Sequence, residues 1–354
     1  MIHSQNQPVT FVIPGDLHLT HGGLPNHQSA VHLIDEITHL VQPDFVQFIG
    51  DNVQHARDDE FVLFRDLTSR LRVPWYALVG DHDVHRDPDA KGFRQWVGEP
   101  IGAMTVNNVR FLRLNTQEAR PLGLTFAQIE WLESELRQAQ TIGQRVVIFQ
   151  HNYPYQIWED FSGPGIDDWR RLVHTYPIAA IFSGHTHYGQ IANDGQNLCI
   201  TTRSIGDPEG GAPGYLLAAV ENDDLAVTYR TVEDVGPIIL ITHPRAVLLT
   251  QHRGHLLQEQ DEIRARVWSH LAIKRVQVRI DRGDWFPARQ IGKLDWSAQC
   301  AGSALAVGNH QITVASEDEI HQQGIQTLTF HVPRRGKFTA VPAVEPNVTT
   351  TDFC

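Results

Sequence analysis

Over the first two-thirds of the chain, short runs of consecutive apolar residues alternate with stretches whose apolar residues recur every three or four positions. Residues 9–13, 45–49 and 75–79 are β-rich runs of the first kind. Between them, Val31, Ile34, Ile37, Leu40 and Val41 share one helical face from about Ser29 onward, and Pro43-Asp44 ends that stretch. A second helix is predicted over 58–71. Strand, helix, strand, helix, strand is the pattern of a sheet with parallel neighbours, and ligands of such sheets bind beyond the carboxyl ends of the strands. The pattern continues with a loop and short helix over 84–104, a hairpin about Asn107-Asn108 and an amphipathic helix that includes 128–136. A buried strand at 145–150, a helix near 167–176 and an apolar run at 179–183 follow. Further strands are predicted at 199–203 and 215–220, with 226–230 pairing back onto them.

Beyond Gly236-Pro237 helical periodicity is scarce. Residues 275–280 alternate cleanly and turn at 281–284. Residues 304–307 turn at Gly308-Asn309 into 311–314, and 325–332 read as a last strand, with Trp285 and Trp296 supplying bulk. Short strands at this spacing predict an immunoglobulin-like β-sandwich. The expected organisation is an α/β domain over 1–235, a smaller all-β domain over 236–340 and a tail over 341–354. The basic Arg334-Arg335-Gly336-Lys337 reads as the start of fraying. A chain of 354 residues exceeds the size at which one core divides, which fits two domains.

Composition is that of a globular protein, with 41% hydrophobic and 20% charged residues. A net charge of -12 argues against a nucleic-acid polymer or an anionic membrane as partner. A small phosphate ester stays open, because bound cations reverse the local field. No stretch approaches a membrane span, and the start lacks a basic then apolar leader. Cys199, Cys300 and Cys354 make no disulfide framework, so a reducing cytoplasm is the expected location.

The chemistry gathers where the apolar runs stop. Asp16 and His18 follow the first run, Asp51 the second, Asp81, His82 and Asp83 the third, and His151 the strand at 145–150. The run at 179–183 ends in Gly184-His185-Thr186-His187. In an extended segment, residues two apart point the same way, so His185 and His187 would leave the strand end side by side. A lone Asp-x-His is a turn with a capping aspartate, but all of these residues should lie on one rim. Carboxylate with imidazole suits Zn, Fe, Mn or Co better than Mg or Ca. The donors are too many for one tetrahedral ion and right for two. A shared carboxylate would hold two ions about 3.5–4 Å apart, where together they acidify a bridging water into the nucleophile of a phosphoryl displacement.

Gly15-Asp16-x-His18, Gly50-Asp51, Gly80-Asp81-His82-Asp83, His151 and Gly184-His185-Thr186-His187 together resemble the five-block signature of the calcineurin-like metallophosphoesterases. The stretch 128–132 further resembles the branch of bacterial cyclic-nucleotide and glycerophosphodiester phosphodiesterases. The resemblance spans roughly residues 9–230 and implies a four-layer β-sandwich flanked by helices. It also implies Asp16, His18 and His187 on one metal, Asp81, His151 and His185 on the other, and Asp51 bridging. His82 would contact the ester phosphate and protonate the leaving oxygen, with Asp83 orienting it. One position departs: Asp81 stands where the family carries asparagine. Three aspartates and a hydroxide then sum to -4 against +4 from two divalent ions, whereas asparagine would leave +1. A neutral core favours a phosphodiester over a phosphomonoester dianion.

The expected activity is therefore hydrolysis of a small phosphodiester, with a phosphomonoesterase or nucleotidase of the same fold, or a non-catalytic metal-binding interaction protein, as the alternatives. His21 lies close enough to line the pocket and reads equally as a plain loop histidine. Tyr153, Trp158 and Phe161 read either as a rim that stacks on substrate or as a loop packed on its own aromatics. Arg203 could touch a phosphate oxygen or form a salt bridge. The C-terminal sandwich reads as a packing or dimerisation module, with glycan or protein binding as an alternative that no residue in it singles out.

Overall fold

Both faces of the first strand are apolar, and that decides the architecture. In β1 (Val9–Pro14) every residue is buried: Phe11 and Ile13 join one core cluster while Val12 joins another. A strand covered on both sides reads as a continuous apolar run. The computed structural model describes residues 8–333 apart from 155–160, 162, 222–223, 258–261 and 301–304.

After β1 come α1 (Pro25–Glu36), β2 (Phe45–Phe48), α2 (Asp58–Thr68), β3 (Trp75–Ala77) and α3 (Lys91–Trp96). A π-helical turn, Ile37–Val41, extends α1 and stops at Gln42, whose φ is 48°. β4 (Gly102–Val106) and β5 (Val109–Arg113) form the hairpin at Asn107-Asn108. There follow α4 (Phe126–Ile142), β6 (Arg145–Phe149), α5 (Ile166–Thr175), β7 (Ile178–Ser183), β8 (Gln190–Asn193), β9 (Leu198–Thr201), β10 (Gly214–Glu221) and β11 (Asp224–Thr231).

These strands make two sheets, in the orders β11-β10-β1-β2-β3 and β4-β5-β6-β7-β9-β8. β1, β2 and β3 are parallel, as the sequence pattern predicts; β10 adds antiparallel to β1. In the second sheet β5, β6, β7 and β9 are parallel. The sheets pack face to face through phenylalanines. Phe11 meets Phe111 edge-on at 5.4 Å, and Phe45 meets the same ring edge-on at 4.8 Å. Leu33, Phe61, Phe64 and Phe93 of α1–α3 cover the outer face of the first sheet, and Leu132, Leu136, Trp169 and Leu172 of α4 and α5 cover the second. The result is helix, sheet, sheet, helix.

The remaining strands are β12 (Ile238–His243), β13 (Glu262–Trp268), β14 (Ile273–Ile280), β15 (Phe286–Pro287), β16 (Arg289–Gln290), β17 (Asp295–Gln299), β18 (Gly308–Asp318) and β19 (Gln323–Val332). They form sheets of order β12-β13-β17-β16 and β15-β14-β18-β19 over one shared core that includes Ile263, Val278, Ile312 and Phe330. Residues 305–307 are not a strand, and the expected turn at Gly308-Asn309 is absent. β18 runs through both residues, which pair with Val332 and His331. The expected tail over 341–354 lies outside the described residues. Ile238, Leu240 and Trp268 of the C-terminal sheets join the core cluster beneath α1 and α2, and Arg266 donates to the Thr10 hydroxyl.

Candidate metal centre

The loops beyond β1, β2, β3, β6 and β7 converge because backbone bonds stitch them together. The Leu17 and His18 N–H groups donate to the Asp51 carbonyl at 3.0 and 2.9 Å, and Gly184 N–H donates to the His151 carbonyl at 3.0 Å. His18, Asp51, His185 and His187 all have φ between 47° and 68°, the left-handed region that non-glycine residues seldom adopt. Such backbone costs about 1–3 kcal/mol each and concentrates at functional sites. His185 and His187 are therefore not an extended pair, contrary to the sequence reading. Two left-handed residues turn the chain, and the rings enter different groups. Glycines before the candidate ligands are sterically required. A Cβ on Gly80 would sit 2.1 Å from Asp51 Oδ1, and one on Gly50 would sit 2.3 Å from His151 Nδ1.

Asp51 stands at the centre. Its Oδ2 lies 3.4 Å from His151 Nε2 and 3.8 Å from His18 Nε2, and its Oδ1 accepts the His82 N–H at 2.9 Å. One group of potential ligand atoms is Asp51, Asp81, His151 and His185; another is His18, Asp51 and His82. In the first, Asp81 Oδ1 is 3.0 Å from His185 Nδ1 and 3.3 Å from His151 Nε2. Beside the second, His18 and His187 face each other Nε2 to Nε2 at 3.2 Å. Asp16 lies behind both, accepting the His185 N–H at 3.3 Å, with its Oδ1 3.6 Å from His151 Nδ1. His151 Nδ1 donates to the Ile49 carbonyl at 2.8 Å, so Nε2 is the nitrogen that faces the carboxylates.

Asp16 and Asp51 are 0% and 1% exposed, and among the described residues no lysine or arginine pairs with them or with Asp81. Buried carboxylates need cationic partners. Two metal cations fit this donor set. Without them, histidines carry the compensating charge. Burial opposes charge on His151, but Asp51, Asp81 and Asp16 outweigh it and hold its pKa well above the usual value. Burial likewise opposes ionisation of Asp81, but His151 and His185 outweigh it and hold that carboxyl well below the usual range.

A family model described as calcineurin-like phosphoesterase matches residues 9–189. The chain belongs to that family. It is similar to tartrate-resistant acid phosphatase type 5 of Rattus norvegicus, with 29% identity over 231 aligned positions covering 52% of this chain and 68% of the relative. It is also similar to a probable glycerophosphodiester phosphodiesterase of Arcobacter nitrofigilis, 27% identical over 139 positions, 37% of this chain and 50% of that one. Among solved structures, a dimetal phosphatase from Danio rerio superposes with a TM-score of 0.51 at 12% identity, over 64% of this chain and 97% of that chain, and shows the shared fold.

Of the residues singled out in the sequence, Asp16, His18, Asp51, Asp81, His82, His151, His185 and His187 meet in this metallophosphoesterase site. Five others that the structure describes stand elsewhere or in other roles. Asp83 does not touch the His82 ring. Its oxygens accept the N–H groups of Gly80 and Val53 and the Asn52 amide, and burial with Asp51's charge pushes it up to about 7. The Gln54 carbonyl orients His82 instead, accepting from Nδ1 at 3.0 Å. Tyr153 is buried beneath α4, and Phe161 packs edge-on against Trp169 at 5.6 Å, so neither is a rim residue. Trp158 lies outside the described residues. His21 is exposed and belongs to none of the groups of potential ligand atoms among the described residues. Arg203 forms no salt bridge there; its guanidinium stacks on Tyr229 at 4.6 Å. The sequence reading missed Gln54, which acts through its carbonyl, and Asp207, whose Oδ2 is 3.8 Å from His187 Nδ1.

Proposed function

We propose that the chain hydrolyses small phosphate esters with two transition-metal cations (Fe, Mn, Zn or Co) held around Asp51, and that phosphodiesters are its better substrates. The carrying observation is one buried carboxylate shared by two groups of ligand atoms. Asp16, His18 and His187 would hold one cation, Asp81, His151 and His185 the other, and Asp51 both. When bound, such a pair acidifies a shared water and neutralises the phosphoryl oxygens. The rest is done by the chain. The Ile49 carbonyl fixes the tautomer of His151. The Gln54 carbonyl does the same for His82, whose Nε2 edge is left facing the cluster, 3.8 Å from Asp81 Oδ2. A proton on that nitrogen is placed to pass to the departing alkoxide. Asp83 keeps the backbone of both aspartate loops in register.

The preference for diesters rests on Asp81, a third ionised carboxylate that lowers the positive charge offered to a dianion. The relationship to acid phosphatases favours the second reading, a phosphomonoesterase. Turnover of bis(p-nitrophenyl) phosphate and p-nitrophenyl phosphate by protein loaded separately with Mn, Co, Zn or Fe separates them. Diester hydrolysis with the higher kcat/KM supports the proposal. A monoester preference favours the second reading, and no turnover with metal bound makes the chain a metal-holding scaffold.

A further inference from the structure

The C-terminal sandwich carries a concave polar site of its own. A cavity of about 530 Å³ opens where the end of β14 and the start of β18 meet β19, lined by Arg279, Arg282, Asn309, His310 and Gln311 with Asp281 and Thr329. Asp281 is the one acid among the described lining residues, and it is already committed. Its Oδ1 accepts the Gln311 N–H at 2.9 Å and its Oδ2 accepts from His310 Nδ1 at 2.7 Å. His310 Nε2 meets the Ala306 carbonyl at 2.8 Å. Both ring nitrogens therefore face acceptors, the arrangement that favours an imidazolium, and the bond to Asp281 raises the pKa of the ring. The aspartate and the histidine cancel.

Two arginines are left over. Asp281–His310 is the only ion pair among the described residues that line the cavity. Arg279 is held in place by its guanidinium stack on Trp285, 4.6 Å from the ring centroid, and its Nε is buried without a hydrogen-bond partner among the described residues. Asn309 Oδ1 is occupied by His331 Nδ1 at 2.8 Å, so its amide N–H groups are what it offers a ligand. The cavity thus presents guanidinium, amide and hydroxyl donors with two uncompensated positive charges, in a chain whose net charge is -12.

The geometry points to a second anion site at Arg279 and Arg282, apart from the metal centre, that takes a phosphate or sulfate group. Planar guanidinium donors match the oxygens of such a group in paired hydrogen bonds. The group can come as the free ion or a small ester, or on a sulfated glycan, which the open mouth would admit.

The test is titration calorimetry on the full chain with inorganic phosphate, inorganic sulfate and a sulfated disaccharide, in metal-loaded and chelator-stripped protein. Stripping removes the metal centre as a competing phosphate site, so the second site is read alone. The stripped wild type is expected to bind one equivalent of sulfate, with affinity falling at least tenfold in the R279Q/R282Q variant. R282Q alone, at an exposed position that leaves the Trp285 stack intact, is expected to lose several-fold with an unchanged Tm. Both variants should keep wild-type ester hydrolysis. Binding should weaken with added salt, as charge pairing requires. A disaccharide bound at least tenfold tighter than sulfate assigns the glycan source; equal affinities assign the free ion or small ester. Anion binding that vanishes with the metals, or that is the same in wild type and both variants, overturns the inference.

Discussion

Asp81→Asn isolates the charge of one ligand while keeping its shape. The amide retains an oxygen where Asp81 Oδ1 faces His185 at 3.0 Å and His151 at 3.3 Å. A monoester dianion and a diester monoanion differ by one negative charge, so the variant should shift their relative reactivity by the interaction of that charge with position 81. Two unit charges about 4 Å apart interact by about 1 kcal/mol in water and about 4 kcal/mol at an effective dielectric of about 20. The Asp81 side chain is 38% exposed, which places the effect at the screened end of that range. A value of about 1–2 kcal/mol corresponds to a shift of roughly five- to thirtyfold. The assay is kcat/KM for p-nitrophenyl phosphate over that for bis(p-nitrophenyl) phosphate, with metal content measured in both proteins. Taking the ratio cancels changes in water acidity that act on both substrates. The ratio should rise in the variant. A ratio within twofold of wild type, with both proteins fully loaded, would refute the charge argument.

Four further outcomes follow from the geometry. His82→Ala should lower kcat by about 10²–10⁴ with metal content unchanged, since proton transfer is lost and no assigned ligand is removed; wild-type turnover would exclude the role. Gly80→Ala should abolish activity and lower Tm, because its Cβ would lie 2.1 Å from Asp51 Oδ1 and neither backbone nor ligand can yield freely. Trp268→Ala should cost about 3–5 kcal/mol in urea unfolding, because that ring, 2% exposed, belongs to the core of the metal-binding half. His255 is 1% exposed and depressed to about 2 by burial, then by Arg245, His252, His243 and Arg145, with Asp224 the one acid that pairs with it among the described residues, at 3.9 Å. A depressed histidine leaves stability intact above its unfolded pKa of about 6.5 and loses it below, by up to about 1.4 kcal/mol per pH unit. His255→Gln should flatten the loss of urea midpoint between pH 7 and 5.

Most of the candidate site was legible because the positions of the candidate ligands and the strand ends coincide. A buried parallel strand is a continuous apolar run, so its last residue can be read, and Asp16, Asp51, Asp81 and His151 each follow such a run closely. What escaped the sequence reading is of three kinds. Backbone groups such as the Gln54 carbonyl have no residue signature. Asp83 looked like an orienting carboxylate because it adjoins His82, but a 3-10 turn at His82–Val84 points it inward to clamp Asn52, Val53 and Gly80. Aromatic residues beside a ligand are ambiguous between rim and core, and Tyr153 and Phe161 fell to the core because α4 and α5 cover them. In the C-terminal sheets, β14 was visible as the alternation Arg275, Val276, Gln277, Val278, Arg279, Ile280, whereas β18 overran a Gly-Asn pair whose turn chemistry lost to the ladder with β19.

The division at Gly236-Pro237 separates stretches of sequence more than it separates structure. The hairpin of β8 and β9 follows the histidine loop directly, and C-terminal residues hold it. Buried Asn193 donates to the Leu248 and Thr250 carbonyls at 2.9 and 3.2 Å, and Gln251 donates to the Gln196 carbonyl at 2.6 Å. Within the hairpin, the Thr201 hydroxyl donates to the Tyr188 carbonyl and accepts the Gln190 N–H, which closes the loop that carries His185 and His187. A left-handed conformation at both histidines persists only where the surroundings over-determine it. The strap over 247–251 is part of those surroundings, so the spacing of the two ligand groups depends on residues from both halves of the chain.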